Sequence, residues 1–184
     1  TGANFYRVVD QIKNRLGGNA HPIRLPIGAE DQFKGLVDLL EMKAYIYTND
    51  LGTDIKEEEV PADMMEDAKK YREALVEAIA EVDDDLMEKY LEGQELSIDE
   101  LKKGLRKGVC DNKIVPVTCG TAFKNKGLQM LLDSVVELMP SPVDVKAIEG
   151  ELEDGTRVER HSSDDEPFAA LAFKVMTDPY VGRL

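Results

Sequence analysis

Ile114-Val115-Pro116-Val117-Thr118-Cys119 runs into Gly120-Thr121-Ala122-Phe123-Lys124-Asn125-Lys126-Gly127 and then into Leu128 to Met139. The first six residues are short and mostly apolar. They predict a strand buried on both faces, of the kind found in parallel sheets, although Pro116 withholds one ladder donor. The polar middle predicts a turn. Leu128, Leu131, Leu132, Val135, Val136 and Leu138 then recur at helical spacing and predict a helix that packs all six inward. Pro140-Ser141-Pro142 ends that helix and reads as a domain boundary. A buried strand feeding a helix through a polar turn places the chain in the α/β class.

Upstream of this unit the pattern changes several times. Asn4 to Leu16 reads as an amphipathic helix, with Phe5, Val8, Val9, Ile12 and Leu16 on one side and Gly17-Gly18-Asn19 as its stop. Pro22 to Ile27 is a short extended piece whose prolines suit a sheet edge. Gly35 to Leu40 and Met42 to Tyr47 predict strands, Asn49-Asp50-Leu51-Gly52 a turn, and Thr53 to Val60 a polar strand. Pro61 is expected to open a helix reaching Val82, with Met64, Ala68, Tyr71, Leu75 and Ile79 as its buried stripe. Asp83 to Leu91 predicts a further turn or two of helix. Ser97-Ile98-Asp99-Glu100 is a capping box for a helix that holds Leu101 and Leu105 and ends near Gly108.

Downstream, Glu149 to Glu166 is acidic and turn-rich, and Phe168 to Val175 reads as a strand. The segment Asp178 to Leu184 is expected to have nothing to pair against, as in a domain that has been cut. The first residue is Thr1 rather than Met, which fits a fragment or a processed chain.

Composition narrows the functional classes. The chain has 184 residues, 23 Lys and Arg against 37 Asp and Glu, and a formal net charge of −14. That balance argues against a nucleic-acid surface spread over the chain, because phosphate binding needs a basic face. From Asp54 to Glu100 there are 18 acidic residues against Lys56, Lys69, Lys70, Arg72 and Lys89, so this segment carries −13 of the total. It is either a solvated face or a docking surface for a basic partner. No run approaches the roughly 18 apolar residues of a membrane span, and no charged-then-apolar leader is present. Cys110 and Cys119 are too few for a disulfide scaffold and suit a reducing compartment.

Little catalytic chemistry is in view. His21 and His161 are far apart and neither has a further ligand at metal spacing, so no metal site is expected. No Gly-x-Ser-x-Gly elbow and no Gly-x-x-x-x-Gly-Lys-[Ser/Thr] loop occurs. Asp164-Asp165-Glu166 sits in a turn where consecutive carboxylates cannot all face one substrate. Cys119 reads as a core thiol. The residues alone describe an α/β chain with an acidic helix and no self-contained active site.

The order of local motifs adds to this. A strand followed by Thr121-Ala122-Phe123 and a helix resembles the guanine-base loop of GTPases. Thr1-Gly2-Ala3-Asn4-Phe5, Ile27-Gly28-Ala29-Glu30, Pro61-Ala62-Asp63-Met64, Leu86-Met87-Glu88-Lys89-Tyr90-Leu91 and Ala122-Phe123-Lys124-Asn125-Lys126-Gly127 resemble the bacterial-type elongation factor G family of translational GTPases. So do Pro140-Ser141-Pro142-Val143-Asp144-Val145 and Ser163-Asp164-Asp165-Glu166-Pro167-Phe168. The likeness runs in order along essentially the whole chain. Release-factor-type and tetracycline-protection-type relatives are its nearest rivals, and an autonomous acidic binding module is the alternative from another class.

The resemblance implies a map. Residues 1–18 correspond to a GTPase-domain helix, 19–112 to the inserted G-prime subdomain, and 113–140 to the last strand, guanine loop and helix of the GTPase domain. Residues 141–184 correspond to a linker and the start of a second, β-barrel domain. The implied fold is therefore the end of a P-loop GTPase domain carrying an α+β insert. Thr121, Ala122 and Phe123 would form the base loop, with the Ala122 N–H donating to the guanine carbonyl, and Thr121 stands where the family commonly has Ser. Phosphate loop, switches, catalytic His, magnesium ligands and the Asn-Lys-x-Asp motif would all lie before Thr1. The piece alone is thus expected to hold no catalytic residue and to bind neither GTP nor GDP tightly. The parent would be a cytoplasmic or organellar GTPase that drives tRNA and mRNA translocation on the ribosome, with rRNA contacts made through the rest of the protein. Glu77, Glu81 and Asp84, at helical spacing, would be the docking face for the C-terminal domain of the ribosomal stalk protein. The piece itself is expected to be monomeric.

Overall fold

The structure is a computed structural model and describes residues 2–171, 174–175, 177–180 and 182–183. The chain divides into two units, Thr1–Met139 and Pro140–Leu184. Both strands and helices are present, so the α/β class holds at that level.

The first unit opens with helix α1 (Phe5–Leu16). Its Asn4 side chain accepts from the Arg7 amide, and Gly17 ends it in the left-handed region at φ 65°. The extended piece that follows splits into two strands. β1 (Ala20–Pro22) pairs in parallel with β6 (Val115–Val117), whereas β2 (Arg24–Ile27) forms the edge of an antiparallel sheet. That sheet has the order β2-β3-β4-β5, with β3 at Gly35–Asp38, β4 at Lys43–Tyr47 and β5 at Ile55–Glu59. Three helices follow: α2 (Met65–Ala80), α3 (Asp84–Leu91) and α4 (Ile98–Cys110).

Leu25, Val37, Leu39 and Ala44 from the sheet, and Ala68, Leu75, Ile79, Leu86, Leu101 and Leu105 from the helices, form one buried core. Layering helices on one face of a sheet buries both apolar faces at once. The approach is close. A Cβ at Gly104 on α4 would lie 2.6 Å from an Ile79 methyl and 2.7 Å from a Leu86 methyl.

Several boundaries differ from those the sequence predicts. Pro61 does not open α2; its carbonyl accepts from the Met64 amide in a separate turn, and the helix starts at Met65. The helix stops at Ala80, because Asp83 caps a new one by accepting from the Asp85 and Leu86 amides. The Ser97 capping box is formed in both directions, but α4 continues past Gly108 to Cys110. β6 is not buried on both faces: Val115 is exposed, because β1 is its one strand neighbour among the described residues.

Helix α5 (Leu128–Leu138) carries the largest correction. Of the six apolar residues expected inward, Leu138 is buried and Leu128 half-buried, while Leu131, Leu132, Val135 and Val136 are exposed. The helix is held by its other side. Arg24 donates to the Met130 carbonyl and to Ser134 Oγ, and Arg106 donates to the Glu137 and Met139 carbonyls. Polar anchors, not the apolar stripe, set its orientation in this unit.

The second unit contains a hairpin of β7 (Ile148–Glu151) and β8 (Arg157–Arg160) in antiparallel register. Thr177–Asp178 (β9) pairs antiparallel with Gly182–Arg183 (β10), so the end of the chain is not without a pairing partner. The strand expected over Phe168 to Val175 is absent from Phe168–Leu171 and from 174–175; Ala172 and Phe173 lie outside the described residues. An extended segment without a paired neighbour does not hold strand structure.

Candidate functional site

The loop after β6 is built to project. Its neck is clipped by a pair of backbone hydrogen bonds, Thr121 N to Lys126 O at 2.8 Å and Lys126 N to Thr121 O at 3.2 Å. Between them Ala122–Lys124 makes one 3-10 turn, and Asn125 reverses the chain at φ 52°. Gly127 follows at φ 84° and leads into α5. A side chain there would meet the Cys119 carbonyl at 2.8 Å, so only glycine fits the exit of the loop.

Thr121, Ala122 and Phe123 therefore sit together between β6 and α5. Among the described residues no acceptor faces the Ala122 amide. Phe123 is fully exposed, at 105% relative accessibility. An open cleft of about 260 Å³ adjoins the loop, lined by Thr118, Cys119, Gly120, Thr121, Ala122, Lys126, Gly127, Leu128 and Leu131. Thr118 Oγ1, in its lining, is buried and has no hydrogen-bond partner among the described residues. Burial pushes the Cys119 thiol up to about 12, against the opposing Arg24 charge, which makes it a poor nucleophile at neutral pH.

The loop is supported from the antiparallel sheet. Tyr47 Oη accepts from the Gly127 amide at 2.7 Å and donates to Gln129 Oε1 at 3.2 Å. Gln129 Nε2 donates to the Gly52 carbonyl at 2.7 Å, and Asn125 Nδ2 donates to the Leu51 carbonyl at 3.3 Å. None of Tyr47, Gly52 and Gln129 stands out in the sequence as functional. Tyr47 reads as a strand former and Gly52 as part of a turn, and their partners lie 77 to 82 residues away.

The acidic candidates fall differently. Glu77, Glu81 and Asp84 are all exposed. Glu77 lies on α2 and Glu81 is its C-terminal cap, but Asp84 is the first residue of α3. The three residues do not share one helix, because the chain breaks at Val82–Asp83. The neighbouring Asp83 is engaged: it caps α3 and pairs with Lys107 at 2.6 Å.

A larger cavity of about 620 Å³ lies between the sheet and α5. Its two cations are internally paired, Arg24 with Asp38 and Lys102 with Glu41 and Glu137. Among the described residues it offers carboxylates but no free cation to orient a ligand. Nor is any group of three His, Cys, Asp or Glu side chains among them placed to hold a metal ion. No helix among them is long and apolar enough to cross a membrane.

No family model matches the chain. The crystal structure of a protein from Thermus thermophilus is similar, at 29% identity and a TM-score of 0.73 over 99% of this chain. The chain spans 24% of the length of that protein, about a quarter.

Proposed function

We propose that the chain is part of a translational GTPase of the elongation factor G type. Residues 113–140 would close the GTPase domain and residues 19–112 would form its insert. The clipped loop carries this reading: it presents an Ala122 amide with no acceptor among the described residues beside an open cleft, between a parallel strand and a helix. A backbone donor at a fixed place reads a carbonyl on a base edge, which guanine has and adenine lacks. The exposed stripe on α5, together with exposed Val8 and Leu16 on α1 and Val115 on β6, fits a surface that the remainder of a GTPase domain would cover.

In this reading the chain contributes base recognition, not phosphoryl transfer. Transfer depends on positioned magnesium, a phosphate loop and switch residues, all of which would lie before Thr1. The acidic surface at Glu77 and Glu81 would serve arrival at the ribosome through the basic C-terminal domain of its stalk protein. An autonomous acidic module for a basic protein is the second reading, supported by the exposed carboxylates of α2 and α3.

Calorimetric titration of the full-length protein with GDP and ADP tests the proposal. GDP binding with no measurable ADP binding is expected, and no tight binding of either by residues 1–184 alone. Equal affinity for the two nucleotides overturns the guanine assignment, and tight GDP binding by the 184-residue chain overturns the division of labour.

A further inference from the structure

Loop 120–127 meets the sheet through the hairpin of β4 and β5, and that hairpin is closed by hydrogen bonds of its own. Asn49 Oδ1 accepts from the Thr53 amide at 3.1 Å, and Asn49 Nδ2 donates to Thr53 Oγ1 at 2.8 Å. Thr48 Oγ1 donates to Asp54 Oδ2 at 2.6 Å, and the Thr48 amide donates to the Asp54 carbonyl at 3.0 Å. The tip is thus shaped by its own residues before anything leans on it.

The loop then rests on this tip at two levels. At the upper level backbone meets backbone. Gly52 is buried at φ 63°, and a Cβ there would lie 2.5 Å from both the Lys124 and the Asn125 carbonyl oxygens. No side chain can stand between tip and loop. At the lower level the Tyr47 hydroxyl, on a buried side chain, joins the Gly127 amide to Gln129, which in turn reaches the Gly52 carbonyl. Tyr47 and Gln129 each accept once and donate once between the Gly127 amide, which donates, and the Gly52 carbonyl, which accepts, so the network runs in one direction.

Gly127 is the residue whose left-handed backbone aims the loop away from α5. Its amide belongs to the first turn of α5, where backbone donors have no partner within the helix. Tyr47 supplies that partner from another element. We infer that Tyr47 and Gly52 are positioning residues for the base-contacting loop, and that the β4–β5 hairpin acts as a buttress that fixes where the Ala122 amide points. The buttress rests on geometry alone; the nucleotide as its ligand rests on the reading of the loop given above. Because the buttress is part of the antiparallel sheet, the residence time of nucleotide becomes a property of the insert as well as of the loop.

The test uses the full-length protein and two variants, Tyr47→Phe and Gln129→Met. Tyr47→Phe removes both bonds of the hydroxyl, whereas Gln129→Met leaves the Tyr47–Gly127 bond and removes the two that reach Gly52. Both keep the apolar bulk, so the second tests the same chain of bonds if the first does not fold. Two quantities are read: deuterium uptake of the peptide spanning 118–128 without nucleotide, and association and dissociation rates of a fluorescent GDP derivative by stopped flow. Uptake in 118–128 should rise with no change in α2 and α4. GDP dissociation should quicken about threefold to tenfold, the effect of about one net hydrogen bond, with association within about twofold. Parental uptake in 118–128 overturns the buttress. Faster uptake with a parental dissociation rate overturns the positioning role. A full-length protein that binds no GDP overturns the base-loop assignment instead, and the uptake measurement then decides the buttress by itself.

Discussion

Arg24 and Ser134, 110 residues apart, are joined by a buried hydrogen bond of 2.6 Å from Arg24 Nη1 to Ser134 Oγ. The same nitrogen donates to the Met130 carbonyl at 2.9 Å, and Nε pairs with Asp38 Oδ2 at 3.0 Å. Asp38 in turn uses Oδ1 to accept from the Leu40 and Glu41 amides. One guanidinium therefore ties β2, β3 and α5 together in a site where Arg24 and Asp38 are both buried. A desolvated pair adds little over an apolar replacement of both partners, but removing one partner leaves the other charged and buried.

Arg24→Leu is accordingly expected to cost about 3–5 kcal/mol in denaturant unfolding. Arg24→Leu with Asp38→Leu should recover part of that loss, though not all, because the Leu40 and Glu41 amides also lose their acceptor. A single variant within about 1 kcal/mol of the parent would show that water reaches the site.

Ala122→Pro separates recognition from folding. Thr121 is already extended, at φ −128° and ψ 103°, as a residue before proline should be. The Ala122 amide donates to nothing among the described residues, so proline removes a donor without breaking an internal bond. Unfolding should be unchanged. In the full-length protein GDP affinity should fall about twofold to tenfold, the range of one net hydrogen bond. Unchanged affinity in a titration counts against this amide as the base contact.

The Ser97 box links α4 to acid stability. Glu100 accepts from the Ser97 amide at 2.9 Å and from its hydroxyl at 2.7 Å, and it pairs with Lys89. Lys89 first, and then Ser97, hold the Glu100 carboxyl well below its ordinary 4.5, at about 2. The unfolded chain therefore binds the proton more readily between these values. The contribution is complete above about pH 4.5 and is lost as pH falls toward 2. Glu100→Gln should flatten the stability profile in that window and leave its shape above pH 6 unchanged. Ser97→Ala should cost about 1 kcal/mol at neutral pH. Denaturant melts from pH 2 to 7 read both effects.

What the sequence discloses is local. The Ser97 box and the Gly17 stop lie within a few residues of what they satisfy. The periodicity of Leu75, Ile79, Leu101 and Leu105 likewise marks buried helix faces, and all four are buried. Periodicity does not name the partner of a face, and so α5 is misjudged: its apolar stripe is real, but Ser134 and Gln129 make the contacts with the sheet. The placement of Thr121-Ala122-Phe123 between strand and helix follows from the chain order. The buttress under them does not, because Tyr47, Gly52 and Arg24 act through polar contacts with residues 77 to 110 positions away, and one such contact leaves no repeat. Asp84 is lost from its expected face because the cap at Asp83 interrupts a heptad-like spacing that is continuous on paper.

Glu77 and Glu81 then remain as the firm members of the acidic face. Both are exposed at the carboxyl end of α2, where the helix carries no basic residue in its last turn. That end of a helix is negative, and acidic side chains there are unfavourable by about 0.3–1 kcal/mol. Local stability therefore does not explain their presence, and Glu77→Lys with Glu81→Lys should leave unfolding unchanged or slightly improved. Asp84 is the opposite case: in the first turn of α3 its charge is favourable, so reversing it would mix a stability loss into any functional one. A double variant at Glu77 and Glu81 is the clean experiment. Exposed ion pairs are worth about 0.2–1 kcal/mol each, too little for a lasting complex but enough to raise the rate of arrival of a basic partner. In the full-length protein the double variant should bind nucleotide as the parent does. Its ribosome-stimulated GTP turnover should be slower, with the gap widest at low ionic strength and closing as salt screens the pairs. Turnover at the parental rate in low salt would leave these two carboxylates as solvated surface, and a loss that persists unchanged at high salt would place their effect in folding rather than in encounter.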